Sequence, residues 1–218
     1  SVVIWGCAAL FIATIAFDPY GIRRGGLSLI GPSTQSLFAF GASGTLPVFG
    51  AGRWWTLLSA GWLHGGVLHI LFNMLWVRQL APATSELYGT SRTVIFYTVS
   101  SVTGFLLSTL LGTQLTLGAS AAIFGLLGAM VLYGRRGGSS HISRQAMTYA
   151  AVLFIFGFII PGIDNFAHLG GFLGGVGVAW ILNPLKEERG EHFIGAAACI
   201  VLTALSILAS IVHAVGDI

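Results

Sequence analysis

Charged side chains are scarce in this sequence: Asp, Glu, Lys and Arg make up 8% of its 218 residues, against 55% hydrophobic. A soluble domain carries about a quarter charged residues. This deficit, with a mean hydropathy of +0.87, excludes an ordinary soluble domain and makes the chain an integral membrane protein. Cysteine is also short. Cys7 and Cys199 lie far apart in apolar runs, which argues against a disulfide framework and against a cysteine-based metal site. No period of 20–50 residues marks a repeat. The small net charge of +3 reports topology more than partners. No cofactor and no nucleic-acid partner is indicated; the lipid bilayer is the first partner implied.

What is present is a series of apolar runs. A membrane-crossing helix needs about 20 mainly apolar residues, and seven stretches qualify as candidates: 2–17, 63–81, 92–112, 120–134, 145–161, 165–183 and 193–213. The expected fold is all-α, a polytopic membrane helix bundle forming one membrane domain over residues 1–218. The connection 18–52 is rich in Gly, Ser and Pro but holds apolar patches such as "SLFAF", so it is expected to be a folded, interfacial loop. Placing the N-terminus inside puts Arg78, Arg92, Arg135, Arg136, Arg144, Lys186 and Arg189 on the inner side. Arg23, Arg24 and Arg53 then lie outside. That bias favours a cytoplasmic N-terminus and an outer C-terminus. The 18–52 loop and the turns 113–119 and 161–165 would all face outward.

Polar residues inside spans are expensive and usually mark function. "HGGVLHILFN" contributes His64, His69 and Asn73 to the second span, and "DNFAHLGG" brings Asp164, Asn165 and His168 to the sixth. His141, His192 and His213 read as solvated or incidental. His69 and Asn73, four apart, share one helix face. One reading is interhelical hydrogen bonding, worth about 1 kcal/mol. Another is a metal site, for which His69 with Asn73 is a poor zinc pair. A third reading comes from the glycines. Gly171 and Gly175 lie on the face of His168, and Gly118, Ala121, Ala122, Gly125, Gly128 and Ala129 form a matching stripe on the fourth span. Small residues let backbones approach closely. Such packing would bring Ser120 within reach of His168, as a serine nucleophile with a histidine base requires.

Two serines sit in similar settings, Ser43 in "GASG" and Ser120 in "GASAAIFG". Ser43 lies in the long loop before "GTLPVFG", where Pro47 and the glycines forbid a helix, and reads as a turn serine. Ser120 opens an apolar helix, whose free N–H groups favour developing negative charge. Its competing role is an N-cap.

The segments "LHGGVLHILFNM" (63–74), "LGASAAIFGLLGA" (117–129) and "GIDNFAHLGGFLGG" (162–175) together resemble the rhomboid intramembrane serine proteases. The resemblance implies a six-helix core, about 2–183, plus one C-terminal transmembrane helix, about 193–213. It implies a Ser–His dyad: Ser120 as nucleophile and His168 as general base, then acid. His69, Asn73 and the Ser120 N–H would line the oxyanion hole, with His64, Gly118, Phe124 and Gly171 in support and no metal. Ala121 stands where the usual GxSG motif ends in glycine, and Phe124 where a tyrosine often stacks on the histidine. The loop's usual Trp-Arg pair reads Trp55-Thr56, leaving Arg53 as a candidate anchor. The implied function is cleavage of membrane proteins within a transmembrane helix, most simply in a bacterial inner membrane. The alternative is a catalytically inactive rhomboid-like protein that binds transmembrane clients. A transporter would call for inverted repeats, which the sequence does not display.

Overall fold

The computed structural model describes residues 2–25, 29–137 and 139–216; residues 26–28 of the long connection lie outside them. The chain is an all-α polytopic membrane bundle. Each expected span is met by a helix: α1 (Val2–Phe17), α4 (Val67–Tyr88), α5 (Thr90–Leu110), α6 (Ser120–Arg136), α7 (Ser140–Ile159), α8 (Asn165–Ile181) and α9 (Gly190–Gly216). Between α1 and α4 the connection folds into a hairpin of β1 (Arg23–Gly25) and β2 (Leu29–Gly31), then short helices α2 (Thr34–Ala39) and α3 (Thr56–Ser59).

Among the differences from expectation, three have a local reason. The second span was expected from residue 63, but α4 starts at Val67. Residues 63–66 form an elbow, and Thr56–Trp62 runs into α4 at a 92° bend. Gly66 is fully extended there, so His64 lies in the elbow and not on the span. At its far end α4 passes through Pro82 to Tyr88. A proline removes a single ladder bond, and membrane helices tolerate that where neighbours compensate. Finally, "GTLPVFG" does contain a helical turn. Leu46–Gly50 is one wide turn with Pro47 at its start, where the missing N–H has no partner to lose.

By length and composition, Thr90–Leu110, Ser140–Ile159 and Gly190–Ala214 are each able to cross a bilayer, and the bent pair Thr56–Trp62 with Val67–Tyr88 can count as a fourth. The central helices α6 and α8 are shorter, at 17 residues each. At 1.5 Å per residue they reach about 26 Å, less than the roughly 30 Å hydrocarbon core.

The centre is α5, α6 and α8, and it is built on absent side chains. A Cβ on Gly171 of α8 would overlap the Ala121 carbonyl of α6, and one on Gly175 would overlap the Gly125 carbonyl. On α5, the Thr103 hydroxyl donates to the Gly170 carbonyl at 3.1 Å. The two small-residue stripes therefore meet as expected, backbone against backbone. The wider core adds Phe96, Leu126, Leu127 and Val131 around this seam.

The long connection is tied to two other loops. Ser43 and Thr116 exchange both backbone hydrogen bonds, at 2.9 and 2.7 Å, and Thr45 N–H donates to the Thr113 carbonyl. The Asp164 carboxylate then accepts from the hydroxyls of Thr116 and Ser108. Thus the 18–52 loop and the turns before α6 and α8 gather at one end of the bundle. His192, read as solvated, is buried; its Nδ1 accepts the Arg189 N–H at 2.9 Å where α9 begins. His213 packs edge-on against Trp55.

Candidate active site

Ser120 and Ser43 differ in surroundings more than in sequence. Ser43 is 0% exposed, paired to Thr116, with the Thr56 hydroxyl 3.4 Å from its own. Ser43 is a loop serine held firmly in place, an internal staple closed to any substrate. Ser120 is partly exposed. The N-cap of α6 is Ala119, and no side chain caps the helix. Ser120 is therefore the first helical residue, its hydroxyl not engaged in the competing capping role, with the unpaired N–H groups of the helix start beside it.

His168 lies in the first turn of α8, 5% exposed. Its ring stacks on Phe124 with centroids 4.2 Å apart and planes 15° from parallel. Phe124 is four residues after Ser120, one turn along the same face of α6. The stack therefore brings the imidazole to the face that carries the Ser120 hydroxyl. In this structure no hydrogen bond joins the two side chains among the described residues. Such bonds commonly tighten only when substrate arrives.

The opposite wall comes from α4. His69 Nδ1 accepts the Gly65 N–H at 3.2 Å, which leaves the ring proton on Nε2. That Nε2 faces Gly118: a Cβ there would sit 2.7 Å from it. Gly118 has φ of +120°, a conformation costly for other residues, and its N–H donates to the Ala60 carbonyl at 2.9 Å. The turn into Ser120 is thus bent tightly under the His69 ring. Asn73 donates one amide N–H to the His69 carbonyl at 2.8 Å, which leaves its second N–H. His64 is buried in the elbow with its ring edge-on to His69, 5.1 Å between centroids.

Several residues with a part here were given no role from sequence. Asp164 caps α8, its carboxylate accepting the Ala167 N–H at 3.0 Å; the signal was the Asp just before the apolar run. Asn165 Oδ1 lies 3.2 Å from His168 Nδ1. Gly104 of α5 makes room for Ala121, whose methyl a Cβ on Gly104 would meet at 2.7 Å. Ala121 is 0% exposed and clusters with Ala60, Phe105 and Ala167, so its methyl fills a slot toward α5. Among the described residues no group of three or more His, Cys, Asp or Glu side chains is arranged to hold a metal.

Comparison with known proteins agrees with this architecture. The Rhomboid domain family matches residues 51–185, which spans the elbow, both small-residue helices and the Asp164 turn. Rhomboid protease GluP of Bacillus subtilis is 34% identical over 175 residues, 78% of this chain and 34% of that protein. RHOMBOID-like protein 7 of Arabidopsis thaliana is 33% identical over 189 residues, 83% of this chain and 59% of its own length. Rhomboid-like protease 3 of Toxoplasma gondii is 30% identical over 169 residues, covering 74% and 64%. The chain thus spans between about a third and two-thirds of the length of these relatives. With the matched region covering the whole seam from the elbow to α8, this chain belongs to the rhomboid family of integral membrane proteins.

Proposed function

We propose that the chain is an intramembrane serine endopeptidase in which Ser120 and His168 form the catalytic dyad. The observation that carries this reading is the flat stack of His168 on Phe124, one turn from Ser120 on the same helix face. The Ser120 Oγ attacks the scissile carbonyl carbon while His168 takes the hydroxyl proton. Charge forms on the carbonyl oxygen. On this reading His69 Nε2–H, the second N–H of Asn73 and the Ser120 backbone N–H donate to it, the preorganised stabilisation that usually supplies the largest rate term. Collapse breaks the C–N bond, and the leaving amine takes the proton from His168. Water then attacks the acyl-Ser120 carbon with His168 again as base, releasing the new carboxyl group and restoring the serine.

Hydrolysis in a membrane needs water at the dyad. The shortness of α6 favours this, because its Ser120 end and the turn before it need not reach the membrane surface for the other end to do so. Substrates on this reading are membrane proteins whose transmembrane helix unwinds at small residues. On this reading the Ser120 end faces outward, the sense that the charge bias favours. Arg53 and Arg92 are buried and bonded to backbone carbonyls; setting both aside leaves six basic residues on the inner side against two, the same sense.

The test is labelling with a serine-reactive fluorophosphonate, together with cleavage of a transmembrane peptide. Wild type and Ser43→Ala are expected to label and cleave, whereas Ser120→Ala and His168→Ala do neither. Labelling that survives Ser120→Ala would sink the assignment. A wild type that binds the peptide without labelling or cleavage would make the chain a client-binding relative.

A further inference from the structure

Stacking on Phe124 fixes the plane of the His168 ring but not which way its nitrogens point. Turning the ring by half a revolution about its bond to Cβ leaves the stack unchanged and exchanges the edge presented to Ser120. A base acting through Nε2 must also carry its own proton on Nδ1. Something has to break this symmetry, and the dyad contains no such group. Asp164 does not serve. One of its carboxylate oxygens accepts the Ala167 N–H, and the other accepts the Ser108 and Thr116 hydroxyls.

Asn165 is placed to do it. Its Oδ1 is 3.2 Å from His168 Nδ1, an acceptor for the Nδ1 proton. Its other neighbour is α7. A Cβ on Gly157 would overlap the Asn165 amide, so the amide occupies a notch in α7 that exists because residue 157 has no side chain. Gly157 lies near the end of a helix whose buried residues are Ala146 and Ala150 alone, both far from this contact. One turn before Gly157, Phe154 packs edge-on to Phe124 with centroids 6.4 Å apart, so the notch belongs to the part of α7 that lies beside the His168 stack.

We propose that Asn165 is a positioning residue for His168, holding the Nδ1-protonated tautomer with Nε2 toward Ser120, and that the Gly157 notch of α7 keeps it there. The inference rests on the dyad reading and adds a third group that touches no substrate. It also gives α7 a direct line to the base: a displacement of α7 at residue 157 changes the space in which the Asn165 amide sits.

The experiment uses the full chain in detergent and a fluorogenic transmembrane peptide with Ala and Gly at the scissile position. Asn165→Ala is expected to lower kcat about ten- to a hundredfold, the cost of a misplaced catalytic group, with KM and the unfolding midpoint little changed. Asn165→Asp, isosteric and with an acceptor oxygen in the same place, is expected to recover most of that loss. Gly157→Ala should lower kcat similarly, yet cost little more in an Asn165→Ala background, where the added methyl meets no amide. The proposal is overturned if Asn165→Ala keeps wild-type kcat, if Asn165→Asp is no better than Asn165→Ala, or if the two losses simply multiply. Failure of the dyad reading is distinguishable: wild type would then not label at Ser120. A labelled, active wild type with an undiminished Asn165→Ala overturns this inference alone.

Discussion

The guanidinium of Arg53 donates a hydrogen bond at 3.3 Å to the carbonyl of Ser210, 157 residues further along the chain. The same group donates to the carbonyls of Phe38 and Ala39 and lies over the Phe38 ring at 4.7 Å. It is 0% exposed. Beside it, Trp55 Nε1–H donates to the Ser210 hydroxyl at 3.1 Å, and the Ser206 hydroxyl donates to the Trp55 carbonyl at 2.5 Å. The last helix is therefore stitched into the long loop, and that loop is stitched through Ser43 to the turn before Ser120.

Arg53→Ala should be among the most destabilising substitutions in the loop. It removes the donor from three buried carbonyls at once, which is expected to cost roughly 2–4 kcal/mol. Arg53→Lys should recover part of this, because an ammonium cannot reach all three with the geometry of a planar fork. Unfolding of the full chain in detergent measures both. An Arg53→Ala protein as stable as wild type would show that this buried cation anchors nothing.

Ala121→Gly is expected to leave cleavage intact or raise it, while lowering stability by about 1–2 kcal/mol through lost methyl burial and a helical glycine. The reason is the direction of the methyl, toward Gly104 and Ala167. Gly104→Ala should be worse, costing about 1–3 kcal/mol by overpacking, since its new methyl meets the Ala167 carbonyl at 2.6 Å as well as Ala121. Ala121→Gly should relieve it only in part. Collapse of cleavage in Ala121→Gly at unchanged stability would place the methyl in the catalytic machinery.

The helices were legible because each is a long apolar run whose only cheap arrangement in lipid is a hydrogen-bonded helix. Small-residue stripes, and with them the meeting of α6 and α8, were legible for a related reason: close approach leaves a periodic trace. The elbow before α4 was not. Gly65 and Gly66 sit inside continuous hydropathy, and composition does not register a bend. The pairing of Ser43 with Thr116 was not legible either, because "GASG" carries no sign of it. The anchoring of Arg53 depends on a partner far along the chain and leaves no local pattern. Asn165 was visible but mute, since its meaning lies in a missing side chain on α7.

Asp164 separates a cap from a clasp. Asp164→Asn keeps a good N-cap for α8, and the Ser108 and Thr116 hydroxyls can turn to meet an amide, so its cost is expected below about 1 kcal/mol. Asp164→Ala loses the cap and the shared acceptor together, about 2–4 kcal/mol. Because Thr116 is the residue paired to Ser43, the alanine variant should also loosen the long loop. Hydrogen exchange of the Ser43 and Thr116 amides checks this. If they exchange as slowly as in wild type, the carboxylate is a helix cap and nothing more.

Gly118→Ala tests the wall of the proposed oxyanion hole from the backbone side. At φ of +120° any L side chain is strained by about 1–3 kcal/mol, and the new methyl would sit 2.7 and 2.8 Å from His69 Nε2 and Cε1. The ring must move, and its Nε2–H leaves the position facing the turn. The expected result is a loss in kcat of about 10²–10³, the size of one missing oxyanion donor, with KM nearly unchanged. His69→Ala should lose a similar amount by deleting the donor outright. In that background Gly118→Ala keeps its backbone strain, visible as a lowered unfolding midpoint, but has no ring to displace and should cost little further in kcat. Full activity in Gly118→Ala, or an undiminished second loss in the double variant, would mean that His69 does not act on the turn before Ser120.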